Sequence, residues 1–323
     1  MTDLRLLLDW KNNYYSFISL NIPLHGVRST RTANMFDCGV RRKSMRADLF
    51  SRSLMLVIVS LLLSFLFAAC SGLSPTVQPT PIAAPDGWNL LWNDEFDGKE
   101  IDTQNWTYDL GAGGWGNGEA QNYTSRPENA RLENGILVIE ARQEKFEDSY
   151  YTSARLKTQG LQNFQYGRIE ARLKVPSGKG LWPAFWMLGS SFNGSNWPDC
   201  GEIDIMEYVG KEPDLIIGTL HGPGYSGALG ISQWNRQTYN IADDYHTYAI
   251  EWEADEIRWY YDGVQYHTVT GEDVGEREWV FEQPFFIILN LAVGGTLPGP
   301  VGLDTVFPTR YLVDYVRVYE KAP

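Results

Sequence analysis

Residues 197–210 (WPDCGEIDIMEYVG) place three acids, Glu202, Asp204 and Glu207, inside a run that otherwise reads as a buried strand. Side chains two apart on a strand share a face, so Glu202 and Asp204 point the same way. Strict alternation would put Met206 next on that face and send Glu207 to the other side. One extra residue, a β-bulge at Ile205–Met206, brings Glu207 back into line. The outcome is a row of three carboxylates on one face of a sheet. Folding alone has no use for such a row, because closely spaced charges beside apolar neighbours are costly.

Glycoside hydrolysis does need it. One carboxylate attacks the anomeric carbon while a second, protonated, donates to the leaving oxygen. A third acid between them can hydrogen-bond the nucleophile and raise the proton affinity of its neighbours by like-charge repulsion. The competing reading, an acidic strand face bathed in water, fits poorly with the apolar partners and the Trp-rich flank.

The string GEIDIMEYVG (201–210) resembles the active-site signature of glycoside hydrolase family 16 in its laminarinase-like, bulged form. The resemblance implies Glu202 as nucleophile, Asp204 as its assistant and Glu207 as general acid/base, with retention of anomeric configuration. It also implies an all-β fold, a jelly-roll sandwich of two curved antiparallel sheets (concanavalin A-like) with an open concave cleft. Such a cleft suits endo-cleavage of a long polymer.

Further segments extend the resemblance from Trp88 to Tyr319. Residues 88–98 (WNLLWNDEFDG) are similar to the family's opening strand, and 285–295 (FFIILNLAVGG) and 311–319 (YLVDYVRVY) to its closing strands. The loop 113–123 (GGWGNGEAQNY) is too Gly-rich for a regular element; the family uses it to line the glycone side, with Trp115, Asn117 and Glu119 as the reaching side chains. Segment 153–158 (SARLKT) corresponds to one whose arginine, here Arg155, contacts substrate. In 180–189 (GLWPAFWMLG), Trp182 and Trp186 fall on one face, where flat rings can stack on sugars. His221 lies in 215–222, the strand that follows the acid-bearing one, as a substrate contact or a structural histidine. Relatives commonly carry Asn-Trp where this chain has Thr296 and Leu297, a departure that bears on the binding subsites.

Local patterns agree with a sheet protein. Residues 131–142 form a hairpin turning at Asn134-Gly135, and Asp262-Gly263 turns another within 257–270. In 166–175, Ile169, Ala171, Leu173 and Val175 alternate inward with Arg168, Glu170, Arg172 and Lys174 outward, as expected for a sheet with one wet face. Thirty-one glycines and the absence of any long helical pattern point the same way.

The first 85 residues differ. Residues 54–69 are an uncharged apolar run of 16 preceded by Arg46 and Arg52, short for a membrane span but suited to a signal-peptide core. The following Cys70, after Phe67-Ala68-Ala69, resembles a bacterial lipoprotein site; ordinary cleavage nearby is the alternative. The domains are therefore a leader or over-extended start (1–44), a signal (45–69), a Pro/Ser/Thr-rich tether after a lipidated Cys70 (70–85) and the catalytic domain (86–323). The protein is expected to be exported, as a cell-surface lipoprotein or secreted, and monomeric. A lipid anchor would be its only membrane contact.

Of 27 basic and 40 acidic residues, 18 and 36 fall in 86–323, a net charge near −18. That excludes nucleic acid as a partner and disfavours sulfated polymers. Four histidines without paired cysteines show no transition-metal motif, so catalysis calls for no cofactor. Of three cysteines only Cys200 lies in the catalytic domain, which rules out a disulfide framework and leaves Cys200 as a small space-filler. By resemblance alone, a structural Ca²⁺ is implied on the convex side, held by the carbonyls of Glu95 and Gly135 and by Asp314. The substrate implied is a β-1,3-glucan or mixed-linkage β-glucan. A transglycosylase, an inactive glucan-binding protein on the same fold, or a hydrolase of another neutral polymer such as a galactan stay open as alternatives.

Overall fold

The computed structural model describes residues 82–323. The leader, the signal segment, Cys70 and nearly all of the tether lie outside these residues, and no described helix is long and apolar enough to cross a membrane. The described chain forms seventeen strands, β1 to β17 in chain order, in two sheets.

The seven-stranded sheet runs β12 (Ile231–Arg236), β11 (Leu215–His221), β10 (Glu202–Tyr208), β9 (Leu181–Gly189), β16 (Phe285–Val293), β7 (Arg155–Lys157) and β2 (Thr107–Asp109). The ten-stranded sheet follows the path β15 (Val264–Thr270), β14 (Glu256–Tyr261), β13 (His246–Glu253), β8 (Gly167–Lys174), β17 (Thr309–Lys321), β5 (Ile136–Phe146), β6 (Ser149–Ser153) and β3 (Gln121–Tyr123). To it β1 (Trp88–Asp94) adds on β17 and β4 (Ala130–Glu133) on β5. The fold is the expected two-sheet jelly roll. One pairing departs from antiparallel: β3 runs parallel to β6.

Alternation decides which side chains meet between the sheets. From β9 and β10 come Leu181, Phe185, Met187, Ile203 and Ile205; from the other sheet come Ile250, Trp252, Ile257, Trp259, Val313 and Val316, all buried in one core. Burying a side chain of this size contributes about 1.5–3 kcal/mol. The buried Trp252 also donates its indole N–H to the Phe281 carbonyl at 3.1 Å, so its polar atom is satisfied.

Two expectations need correction. The outward face of β8 is not wet along its length: Arg168 and Glu170 are both 8% exposed. They cover each other by ion pairing at 2.6 Å, Arg168 also pairs with Glu251 at 3.0 Å, and its guanidinium lies over the Tyr260 ring. Charged residues alternate outward as read, but long side chains roof the sheet by lying along it. The loop 113–123 is also more regular than its glycines suggest, with a 3-10 turn at Gly114–Gly116 and strand β3 at its end.

Candidate active site

The bulge forms where the acid spacing requires it. On one side of β10, Asp204 pairs with Trp186 of β9 and Met206 with the adjacent Phe185. On the other side, Asp204 pairs with Thr219 of β11 and Glu207 with Ile217, so Ile205 and Met206 together oppose the single Gly218. Glu202, Asp204 and Glu207 consequently line one cleft of about 1070 Å³. Strict alternation resumes on either side.

Each acid has its own neighbours. Glu202 accepts from the Trp197 indole at 2.9 Å. Glu207 accepts from the Trp182 indole at 3.1 Å and from the Thr219 hydroxyl at 3.5 Å. Asp204, only 4% exposed, has its Oδ2 at 3.2 Å from His221 Nε2, which also lies 3.7 Å from Glu202 Oε1. Burial raises the proton affinity of all three; at Glu202 and Glu207 the charge on Asp204 raises it further, and His221 and the indole donors oppose the rise. Glu207 is pushed up to about 8. Glu202 and Asp204 are pushed up to about 8 as well, burial being the first cause at each. The row therefore retains protons near neutrality, and a single ionised member makes its neighbours harder to ionise.

The remaining expected residues gather around this row. Trp182 and Trp186 share the cleft face of β9, as their spacing predicts. Arg155 lies with its guanidinium 4.6 Å from the Trp186 ring and 5.1 Å from the Trp115 ring, and ion-pairs with Asp109 at 2.9 Å. Asp109 is shared with Lys157 at 2.5 Å, so Arg155 is a stacked and partly compensated cation. Glu119 lines the cleft but is spent on protein contacts: Gln121 at 2.6 Å, Tyr123 at 3.2 Å and Asn117 at 3.4 Å. Leu297 lines the cleft beside Thr296 and packs on Val209, Leu215 and Ile217 as an apolar rim.

Sequence reasoning missed several partners. Asn290 accepts from the Trp186 indole at 2.6 Å and donates to the Tyr123 hydroxyl at 3.1 Å, linking the cleft floor to Glu119. Its signal was available: it is the one polar side chain in β16, a strand buried at every position. Asp109 and Thr219 carried no such signal, since each gains meaning only from the strand laid beside it, whereas Trp197 reaches Glu202 from five residues upstream in the same segment. Cys200 is buried and unpaired, packed with Leu188, Phe286 and Ile288, and burial pushes its thiol up to about 11, which suits a space-filler.

The calcium positions lie on the ten-stranded sheet. The registers Asp94 with Val316 and Val313 with Leu137 bring Glu95 and Gly135 beside Asp314, which sits at a register shift between Val313 and Tyr315. Arg172 takes one Asp314 oxygen at 2.7 Å, and Arg317 occupies the Glu95 carboxylate at 2.8 and 2.7 Å. Main-chain carbonyls and a carboxylate oxygen are hard ligands of the kind calcium takes.

Comparison with known proteins gives the same answer as the site. A family model described as Glycosyl hydrolases family 16 matches residues 117–316. Over 267 residues the chain is 45% identical to a beta-glucanase of Rhodothermus marinus, covering 79% of this chain and 93% of that one. It superposes on the endo-beta-1,3-glucanase of Pyrococcus furiosus with a TM-score of 0.71 at 50% identity, over 73% of this chain and 95% of that one. The laminarinase catalytic domain of Thermotoga maritima gives a TM-score of 0.71 at 46% identity, over 74% of this chain and 100% of that one. With its bulged acid row, its two-sheet frame and these relatives, the chain belongs to glycosyl hydrolases family 16.

Proposed function

We propose that the chain is an endo-acting, retaining hydrolase of β-1,3-glucan, with weaker action on mixed-linkage β-glucan. The observation that carries the reading is the single-faced row of Glu202, Asp204 and Glu207 in the cleft. Glu202 attacks the anomeric carbon and forms a glycosyl-enzyme ester. As the bond to the leaving oxygen breaks, Glu207 gives that oxygen its proton. Glu207, now charged, then takes a proton from water, which attacks the ester and releases Glu202. Asp204 holds the Glu202 carboxylate in place and opposes ionisation of Glu207, and His221 beside both acids limits that repulsion.

The lining supports a neutral substrate. Among the described residues Arg155 is the lone Arg or Lys lining the cleft, and it lies against the Trp115 and Trp186 rings and pairs with Asp109, so the wall offers little positive charge to a sulfate group. Trp115, Trp182, Trp186 and Trp197 offer flat faces for sugar rings, with Asn117 as a polar contact on the loop. Names of relatives, a beta-glucanase and an endo-beta-1,3-glucanase, favour glucan within the neutral polymers. We also take the Glu95 and Gly135 carbonyls and Asp314 to hold a structural Ca²⁺, and Cys70 to anchor an exported enzyme.

A panel of laminarin, mixed-linkage glucan, cellulose and agarose, read by reducing-end release, tests the proposal. Laminarin should be cut to short oligosaccharides, mixed-linkage glucan more slowly and cellulose not at all. The first anomer formed, followed by NMR, reports retention. Cleavage of agarose with laminarin untouched would overturn the substrate.

A further inference from the structure

The bulge that aligns the acids is held from the opposite sheet. On β10 the ladder is interrupted on both sides directly after Asp204. A buried carbonyl at such a break needs a donor from elsewhere. The Asp204 carbonyl receives the indole N–H of Trp259 at 2.8 Å, in a fully buried contact. Trp259 belongs to β14 of the ten-stranded sheet, so this hydrogen bond crosses the core.

The crossing is possible because of what stands in its path. Gly218 is the residue on β11 that faces the two bulged residues. A Cβ there would lie 2.7 Å from Trp259 Cδ1, 2.9 Å from its Nε1 and 2.7 Å from the Tyr266 hydroxyl. Its neighbours Ile217 and Thr219 face the cleft, so the missing side chain opens the core face of β11 directly beneath the acids. The outer sheet is shaped to match. Between β14 and β15 the register shifts immediately after Trp259, and Tyr266 is the extra residue. Two bulges, one in each sheet, thus face each other across Gly218. The Trp259 ring is fixed from behind by its cross-strand neighbour His267, 4.7 Å away between ring centroids.

We propose that Trp259 is a positioning residue for the acid row: passing through the gap at Gly218, its indole N–H holds the Asp204 carbonyl and so sets the bulge that turns Glu207 onto the face of Glu202. Trp259 touches neither substrate nor the carboxylates. It acts on the geometry between nucleophile and acid, where a shift of about 1 Å costs on the order of 10²-fold in rate. The inference rests on Glu207 being the acid of the proposed mechanism.

That dependence gives a test that simple loss of packing would not satisfy. Departure of dinitrophenolate from an aryl laminarioligosaccharide needs no proton, whereas departure of a sugar does. Trp259→Phe, which removes the N–H and keeps an aromatic ring, should lower kcat on laminarin roughly 10²-fold with KM little changed, and lower glycosylation by the dinitrophenyl substrate less than about tenfold. Gly218→Ala should show the same asymmetry while Trp259 itself is intact. Where either variant fails to fold, replacing Trp259 with benzothienylalanine, which puts sulfur in place of the N–H at nearly constant volume, is read with the same two substrates. Full activity of the sulfur isostere, or equal losses on both substrates, overturns the clamp. Glu207→Gln is the control. If its glycosylation step is slowed equally with both substrates, the acid assignment has failed and the clamp falls with it; if it keeps glycosylation by the aryl substrate while the Trp259 variants do not, the clamp alone is wrong.

Discussion

Glu140 on the ten-stranded sheet and Glu207 on the seven-stranded sheet are both buried, 1% and 9% exposed, yet they are held in opposite states. Burial pushes both upward in proton affinity. At Glu140 that push is outweighed by Arg131 at 2.8 Å, Arg310 at 3.0 Å and Arg142, and the carboxyl ends below its ordinary range. At Glu207 the partners are the neutral donors Trp182 and Thr219, Asp204 adds its repulsion, and the carboxyl ends far above that range. The same residue type at similar depth is an ionised tie in one sheet and a proton store in the other. Neighbours, not burial, set the sign.

The largest effect should come from removing the proton chemistry. Glu202→Gln and Glu207→Gln should each lower laminarin hydrolysis by about 10³–10⁴-fold or more, with the circular dichroism spectrum unchanged. Near-normal turnover by Glu202→Gln would sink the mechanism. Asp204→Asn should retain measurable activity, and a fully active Asp204 variant would reduce that residue to a structural acid.

Glu140→Gln should do the reverse, leaving kcat near normal while destabilising the fold by roughly 2–3 kcal/mol in denaturant titration. This is less than for a wholly buried ion pair, because the arginines are partly solvated. An inactive but fully stable variant would erase the contrast.

The two sites should also respond to pH with opposite sign. Glu207 has a folded pKa of about 8 against a reference of 4.5, so the native state binds the extra proton. Its contribution is complete below pH 4.5 and is lost as pH rises through about 8, so Glu207→Gln should gain in Tm over wild type as pH climbs across that window. The folded pKa of Glu140 is lowered from 4.5, so its contribution is present above that pH and lost on acidification. The penalty of Glu140→Gln should therefore shrink below pH 4.5. Parallel Tm curves for the two variants would contradict the assignment.

The smallest effect belongs to calcium. Chelation should lower Tm by a few degrees, as a ligand worth about 1 kcal/mol at its midpoint would, without changing the kcat of folded enzyme. Identical melting curves in chelator and in millimolar calcium would count against the site at Asp314.

Much of the site was legible because it is written locally. The spacing of Glu202, Asp204 and Glu207 demanded a bulge, and alternation put Trp182 and Trp186 on one face. Asn290 could have been found the same way, as a polar residue in an otherwise apolar strand. What alternation cannot report is which strand arrives alongside. Asp109 pairs with Arg155 across the pairing of β2 with β7, and Trp259 reaches Asp204 from the other sheet. The same limit explains Arg168 and Glu170: the period sent them outward correctly, but their burial depends on Glu251 and Tyr260, some eighty and ninety residues later.

Strand β17 has a consequence for how the molecule comes into being. It lies between β8 and β5, and its far half also carries β1, with Trp88 opposite Lys321. The ten-stranded sheet is therefore divided until residues 309–321 arrive, although the acid-bearing meander from β9 to β12 has long since emerged from the ribosome. Pairings across such sequence distances form late and slowly. The catalytic hairpins would then wait as an open, sticky surface, and loss of a dozen C-terminal residues should abolish the enzyme without touching any group that meets the substrate.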